Sequence, residues 1–355
     1  SLGNPVIEPP EEVRKALIES ARDESHGLHR YMPNAGLADV RAVIAESLSP
    51  ECKVELSAND VVMVCGAAGG LNITLKTLLD PGDEVIIFAP YFVEYLFYAD
   101  NHGGKAVAVP TLDDFRLNFE ALQNALNEKT KAVIINSPNN PTGVLYSRQE
   151  LQELARVLKA HSDKLGKAVY LISDDPYKKI TFDGVEAPNI MEFYQDSIYI
   201  TSHSKDIALP GERIGFLAVH PQCESAGLLM AGLIFCNRVL GFVNAPALIQ
   251  RVVKQVQGVT VDVEQYRRKR DYLYNELTRI GYQVVKPQGA FYFFPKSPLE
   301  DEVEFVKKLA DKKVLVVPGR GFGLPGYFRI SYCLPDSVIE GSIAGFEKAY
   351  HECQA

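Results

Sequence analysis

The chain has 355 residues, 37 of them basic and 45 acidic, so its formal net charge is −8. With 46% hydrophobic and 23% charged residues, the composition excludes a disordered, collagen-like or fibrous chain. The acidic balance excludes broad nucleic-acid binding, which needs clustered Lys and Arg, but leaves room for a local basic pocket that holds a small anion.

In chain order, Pro9-Pro10 precedes an amphipathic helical segment, Glu11–Ala21. A run of short apolar segments then predicts strands at Val61–Val64, Glu84–Phe88, Ala106–Val109, Ala132–Asn136, Val169–Ser173, Ile198–Thr201 and Gly215–Val219. They are rich in Val and Ile and lack strict alternation, as strands buried on both faces do. Helices are predicted between them. One is Leu71–Leu79, and another is Ser147–Ala160, where Ser147 and Glu150 form a capping-box pattern. Beyond the last strand, one long helical pattern covers Ala245 to about Ile280. It contains the basic run Tyr266-Arg267-Arg268-Lys269-Arg270, read as a solvated helix face. Strand patterns at Ala290–Phe294, Val314–Val317 and Phe328–Tyr332 alternate with helical patterns at Val303–Lys312 and Asp336–Cys353. The expected fold is α/β, with a mainly parallel seven-stranded central sheet between helices and a smaller α+β domain from both termini. Residues 38–246 form the expected large domain, and residues 1–37 with 247–355 the small one.

Six cysteines are spread along the chain without a CxxC pair, and no His stands at metal-ligand spacing beside them. Neither a disulfide framework nor a metal site is expected, and the reducing cytoplasm is the simplest compartment. The apolar stretch from Ala226 to Leu240 is interrupted by Gly232, Asn237 and Arg238. It falls short of the roughly 18–20 residues that span a bilayer. Ser1 opens the sequence, and no charged-then-apolar leader follows it.

Four polar motifs follow four predicted strands. Lys205, in Ser202-His203-Ser204-Lys205, stands at a strand's carboxyl end, where open α/β sheets bind ligands. A lysine in a dry pocket or beside another cation can attack a carbonyl as a free amine. Taken alone, a surface lysine in a loop is the plainer reading. Arg213, in Gly211-Glu212-Arg213-Ile214-Gly215, adds a phosphate-binding character to the pair of serines. Cys65-Gly66-Ala67-Ala68-Gly69-Gly70 follows a strand and opens a helix, so its backbone amides suit an anion. No Gly-Lys-Ser/Thr follows it, so it is not a Walker loop, and a tight turn explains it as well. Asn136-Ser137-Pro138-Asn139-Asn140-Pro141-Thr142-Gly143 makes a rigid polar turn. Asp174-Asp175-Pro176-Tyr177 offers an acceptor and a phenol to one ligand, or else an N-cap.

Together with Tyr31-Met32-Pro33-Asn34-Ala35-Gly36, Gly289-Ala290-Phe291-Tyr292 and Phe328-Arg329-Ile330-Ser331, these motifs resemble fold type I pyridoxal-phosphate enzymes, specifically the aspartate aminotransferase-like class I/II aminotransferases. The resemblance spans nearly the whole chain. It implies pyridoxal 5'-phosphate as cofactor. Lys205 matches the lysine that forms the Schiff base and shuttles the substrate Cα proton. Asp174 matches the carboxylate that keeps the pyridine nitrogen protonated, which makes the ring an electron sink. Tyr177 and Asn140 match donors to the ring oxygen. Ser202, Ser204 and Arg213, with the amides around Gly66, Ala67 and Ala68, match the phosphate site. Phe92 matches the aromatic that stacks on the ring, with Tyr91 one register away. Arg329 matches the clamp for the substrate α-carboxylate, and Gly3, in Leu2-Gly3-Asn4-Pro5, a glycine near the substrate. Tyr31 matches a tyrosine that reaches the neighbouring subunit's phosphate, which implies a homodimer with a shared active site.

The departures are His203, where the family carries an aromatic or small residue, and the turn Cys65–Gly70, which lacks a hydroxyl or charged side chain. An arm that usually precedes the Gly3 position is also missing from the sequence. His203 is read as a structural histidine. Arg238 lies near where some relatives place a cation for a distal carboxylate, but a surface arginine is the plainer reading. The expected activity is transfer of an amino group from an L-amino acid to a 2-oxo acid by a ping-pong route. A C–S β-lyase of the same fold is the alternative. A non-enzymatic cofactor-binding regulatory domain is the third reading, without the basic helix-turn-helix module such proteins carry.

Overall fold

Two periodicities build the molecule. Short apolar runs make strands buried on both faces, and segments with an apolar stripe every three or four residues make helices. The computed structural model describes residues 3–25 and 27–354. Ser1 and Leu2, where the N-terminal motif begins, lie outside the described residues, as do His26 and Ala355.

The chain opens with α1 (Glu11–Arg22) and α2 (Ala38–Cys52). It then alternates through β1 (Val61–Val64), α3 (Gly66–Leu78), β2 (Glu84–Ala89), α4 (Glu94–Asp100), β3 (Lys105–Pro110), α5 (Phe119–Ala125) and β4 (Thr130–Ile135). Next come α6 (Arg148–Leu165), β5 (Tyr170–Asp174), β6 (Ser197–Ser202), β7 (Gly215–Val219) and α7 (Ala226–Val239). The remainder is α8 (Ala247–Gln255), α9 (Val263–Ile280), β8 (Tyr292–Phe293), α10 (Glu302–Asp311), β9 (Val317–Pro318), β10 (Phe328–Ser331) and α11 (Asp336–His351).

Seven strands form one sheet in the order β1-β7-β6-β5-β4-β2-β3. Strands β3, β2, β4, β5 and β6 run parallel, while β7 is antiparallel to both β6 and β1. Successive side chains point to opposite faces, and the core splits accordingly. Val61 and Met63 join the α2 and α6 side through Ile44, Leu154 and Leu158. Val62 and Val64 join the α3 and α7 side through Leu71, Ile73 and Leu233. The sheet is therefore covered on both faces, as parallel strands require. A separate antiparallel sheet, β8-β10-β9, packs Phe293 and Phe328 against Leu277 of α9, Phe305 of α10 and Phe346 of α11.

Beside an α3 that starts at Gly66 rather than Leu71 and a β9 that starts at Val317 rather than Val314, the chain differs from its sequence pattern in three places. The single helix expected over 245–280 is two. Gly258, at φ +80°, takes the chain out of α8, and Asp262 caps α9 by accepting from the Glu264 amide at 3.1 Å. The strand expected at Ala290–Phe294 shrinks to Tyr292–Phe293, because Ala290 sits in the left-handed region at φ +57°. The basic run on α9 is not uniformly a solvated face. Tyr266, Arg270, Leu273 and Leu277 share the buried stripe. Arg270 is fully buried, pairs with Asp183 at 2.7 and 2.9 Å, and lies over the Phe182 ring. Periodicity places this arginine inward, and the fork on Asp183 compensates its charge.

Candidate active site

Parallel strands end together, so the residues after β5 and β6 converge. Asp174 is the last residue of β5 and is buried. Its Oδ2 accepts from the Tyr95 hydroxyl at 2.6 Å, while its buried Oδ1 has no protein partner. Burial pushes the Asp174 carboxyl up to about 7, against the pull of the Tyr95 bond. The N-cap reading of Asp174 does not hold, since no helix follows it.

Lys205 lies three residues beyond β6 and lines the same cleft as Asp174. Its Nζ donates to the Gly3 carbonyl at 2.6 Å and stands 5.7 Å from the centre of the Phe291 ring. Burial pushes its amine down to about 8, and Arg213 adds to the effect. The cleft encloses about 560 Å3.

One end of the cleft suits an anion. Ala67 and Ala68 line it from the first turn of α3, where amide N–H groups lack intrahelical partners. Ser202, Ser204 and Arg213 line the same region. Arg213 is held in the left-handed region at φ 51°, with Nη1 donating to the Pro210 carbonyl at 3.0 Å. Gly66 backs it closely. A Cβ there would lie 2.9 Å from the Arg213 Nη2, and Gly66 itself has φ +72°.

The other end suits a carboxylate. Arg329, on β10, donates from Nη1 to Asn140 Oδ1 at 2.9 Å. Its guanidinium lies 4.7 Å from the centres of both the Tyr292 and Phe322 rings. Between the ends, the Tyr177 and Tyr292 hydroxyls are 2.9 Å apart. Burial raises both phenols, Tyr292 to about 12. Phe92 lines the cleft and meets Tyr95 edge-on at 5.6 Å. Tyr91 instead packs against Gly323, so the register that puts Phe92 in the cleft is the one adopted.

Three sequence candidates are elsewhere. Tyr31 is 91% exposed and does not line this chain's cleft. His203 is buried behind the cleft, with Nδ1 3.0 Å from Asp206 Oδ2. Arg238 is exposed on α7. Tyr95, Tyr98, Glu94 and Phe322 were not singled out from sequence, and Tyr292 stood in a quoted motif without a role, yet Glu94, Tyr98, Tyr292 and Phe322 line the cleft and Tyr95 holds Asp174. The spacing Phe92, Tyr95, Tyr98 was an available signal, since residues three apart share a helix face.

The residues fit pyridoxal phosphate. The orphaned Asp174 Oδ1 asks for a cationic donor, the α3 amides and Arg213 ask for a dianion, and Lys205 can present a neutral amine to a carbonyl.

Known proteins agree. The family model described as aminotransferase class I and II matches residues 1–344. The chain is 33% identical to a probable aspartate aminotransferase of Methanocaldococcus jannaschii, over 95% of this chain and 90% of that one. It is 33% identical to a probable aspartate/prephenate aminotransferase of Aquifex aeolicus, over 99% and 90%. Among solved structures, an aminotransferase of Eubacterium rectale is 38% identical and superposes with a TM-score of 0.98, over 100% of this chain and 90% of that one. The aspartate aminotransferase of Thermus thermophilus with maleate is 28% identical, with a TM-score of 0.88 over 98% and 90%. The chain therefore belongs to the class I and II aminotransferases, pyridoxal-phosphate-dependent enzymes that move an amino group from an amino acid to a 2-oxo acid.

Proposed function

We propose that the cleft between Asp174 and Lys205 is the transamination site, with each residue in the role its geometry suits. The carrying observation is the pairing of an orphaned, buried Asp174 Oδ1 with a lysine whose amine burial pushes down to about 8. Pyridoxal phosphate, when bound, supplies a carbonyl for amine exchange and an electron sink for the substrate Cα.

Asp174 would hold a protonated ring nitrogen through Oδ1, which has no protein partner, while Tyr95 fixes the carboxylate through Oδ2. Tyr177 and Asn140, which line the cleft, would donate to the ring oxygen, and Phe92 would cover a ring face. Ser202, Ser204, Arg213 and the amides of Gly66, Ala67 and Ala68 would hold the phosphate. Lys205 would hold the cofactor through Nζ and, when that amine is free, would take and return the substrate Cα proton at that atom. Arg329, steadied by Asn140 and two aromatic faces, takes the substrate α-carboxylate and orients the Cα–H bond. Gly3, whose carbonyl accepts from Lys205, would border the substrate.

The same reading divides the chain into a large domain, 38–246, and a small one, 1–37 with 247–355, with the site between them. It makes the protein a cytoplasmic homodimer in which Tyr31 reaches the partner's phosphate. The exposure of Tyr31 and an apolar face on α7 support the dimer. Six free cysteines support the compartment.

Mixing the holoenzyme with single L-amino acids and following the cofactor's visible absorbance tests the activity. We expect at least one amino acid to convert it to the amine form and a 2-oxo acid to restore it. Product release without an acceptor would establish the lyase chemistry instead. Lys205→Ala should leave no protein adduct after borohydride reduction, and an adduct that persists would remove Lys205 from its role.

A further inference from the structure

The relatives that match this chain carry aspartate aminotransferase names, and a dicarboxylate substrate needs a cation for its side chain. Three cations line this chain's cleft among the described residues: Lys205, Arg213 and Arg329. Each is engaged by the reading above, on cofactor, phosphate and α-carboxylate. The side chain that remains is an acid, Glu94.

Glu94 is the first residue of α4 and lines the cleft between Phe92 and Tyr98. An acid at a helix start is favourable by itself, and solvent-facing geometry would serve that purpose. Here Oε2 is buried and has no protein partner. Burial pushes the Glu94 carboxyl up, and Arg329 is close enough to pull it down. Its charge also reaches Tyr98, Tyr292 and Asp174, raising each. Glu94 thus sits inside the electrostatic field of the site. A buried acceptor without a donor is costly, and a ligand that brings a donor relieves the cost. A second carboxylate would meet like charge.

We propose that Glu94 sets the substrate class, turning the pocket against dicarboxylates and toward an amino acid whose side chain ends in a cation. The inference rests on the transamination reading of the same cleft.

The test is single-turnover conversion of the holoenzyme by L-ornithine, L-lysine, L-aspartate and L-glutamate, each read relative to neutral L-leucine. A spectral titration with maleate adds a binding readout that needs no turnover. We expect the wild type to favour the diamino acids. Glu94→Gln should reduce that preference over aspartate by about 10- to 100-fold, the range for losing a charge-assisted bond, and should tighten maleate binding. Glu94→Ser serves as a second variant if Gln disturbs the fold. A wild type that favours aspartate, for instance through an arginine lent by a partner subunit, would overturn the proposal. An ornithine-to-aspartate ratio unmoved by both variants would overturn it too. If no amino acid converts the cofactor, the transamination reading itself falls and takes this inference with it.

Discussion

Asp174 carries the largest conflict between stability and function at the level of single residues. Its carboxyl sits at about 7 in the folded chain against an ordinary 3.8. Between those values the folded protein holds a proton that the unfolded chain has released. Stability therefore falls as pH rises through that window, and the full cost is present above it. Asp174→Asn removes the cost. The cofactor-free variant should melt a few degrees above wild type at about pH 8 and level with it near pH 4 by scanning calorimetry. Its affinity for the cofactor should drop about tenfold or more, because a charge-assisted partner for the ring nitrogen is gone. Lys205 makes a second pH prediction. Its amine is neutral above about 8, so cofactor capture by the apoprotein should speed up about tenfold per pH unit below that point. Above it the rate should level off, as stopped-flow absorbance would show. Asp174, Lys205 and Arg329 were legible in the sequence because each sits in a motif with its neighbours. Tyr95 was not, since the bond to Asp174 joins residues 79 apart. Glu94 was equally hidden, because an acid at a helix start reads as ordinary until the opposite wall of the cleft is in place.

Local rules act most directly at the level of elements. The capping box at α6 is present as its pattern implies. Ser147 accepts from the Glu150 amide at 3.3 Å, and Glu150 accepts from the Ser147 amide at 2.8 Å. Ser147→Ala should cost about 1 kcal/mol of unfolding free energy in denaturant titration, without a change in cofactor affinity. The strands of the large sheet were readable within a residue or two, since a short Val- and Ile-rich run between turns has few alternatives. The C-terminal strands were less so. Strands β8 and β9 contain two residues each, and positive φ at Ala290 and Lys313 trims what the apolar pattern offers. The break between α8 and α9 was also missed, because the apolar stripe continues across Gly258.

For the molecule as a whole, the exposed face of α7 stands out. Leu228 is 80% exposed and Phe235 64%, with Val239 on the same stretch. A contiguous apolar patch of that kind marks an interaction surface. If it is the subunit interface, Phe235→Glu should give monomers by sedimentation velocity at micromolar concentration. The transamination rate should fall with it under the proposed dimer, in which Tyr31 would serve the partner's phosphate site.

The sequence by itself determined the class of fold, the sheet strands to within a residue or two, and most of the motifs that meet in the cleft. Those rest on local signals: hydrophobic period, turn residues, and motifs of a few positions. Tertiary structure alone decided that Arg270 is an interior charge, that Tyr95 steadies Asp174, and that Glu94 lines the cleft. Each of these depends on partners distant along the chain. Burial and pairing are properties of the assembled fold, and they set whether a charge is a solvated surface group, a structural pair or part of a site.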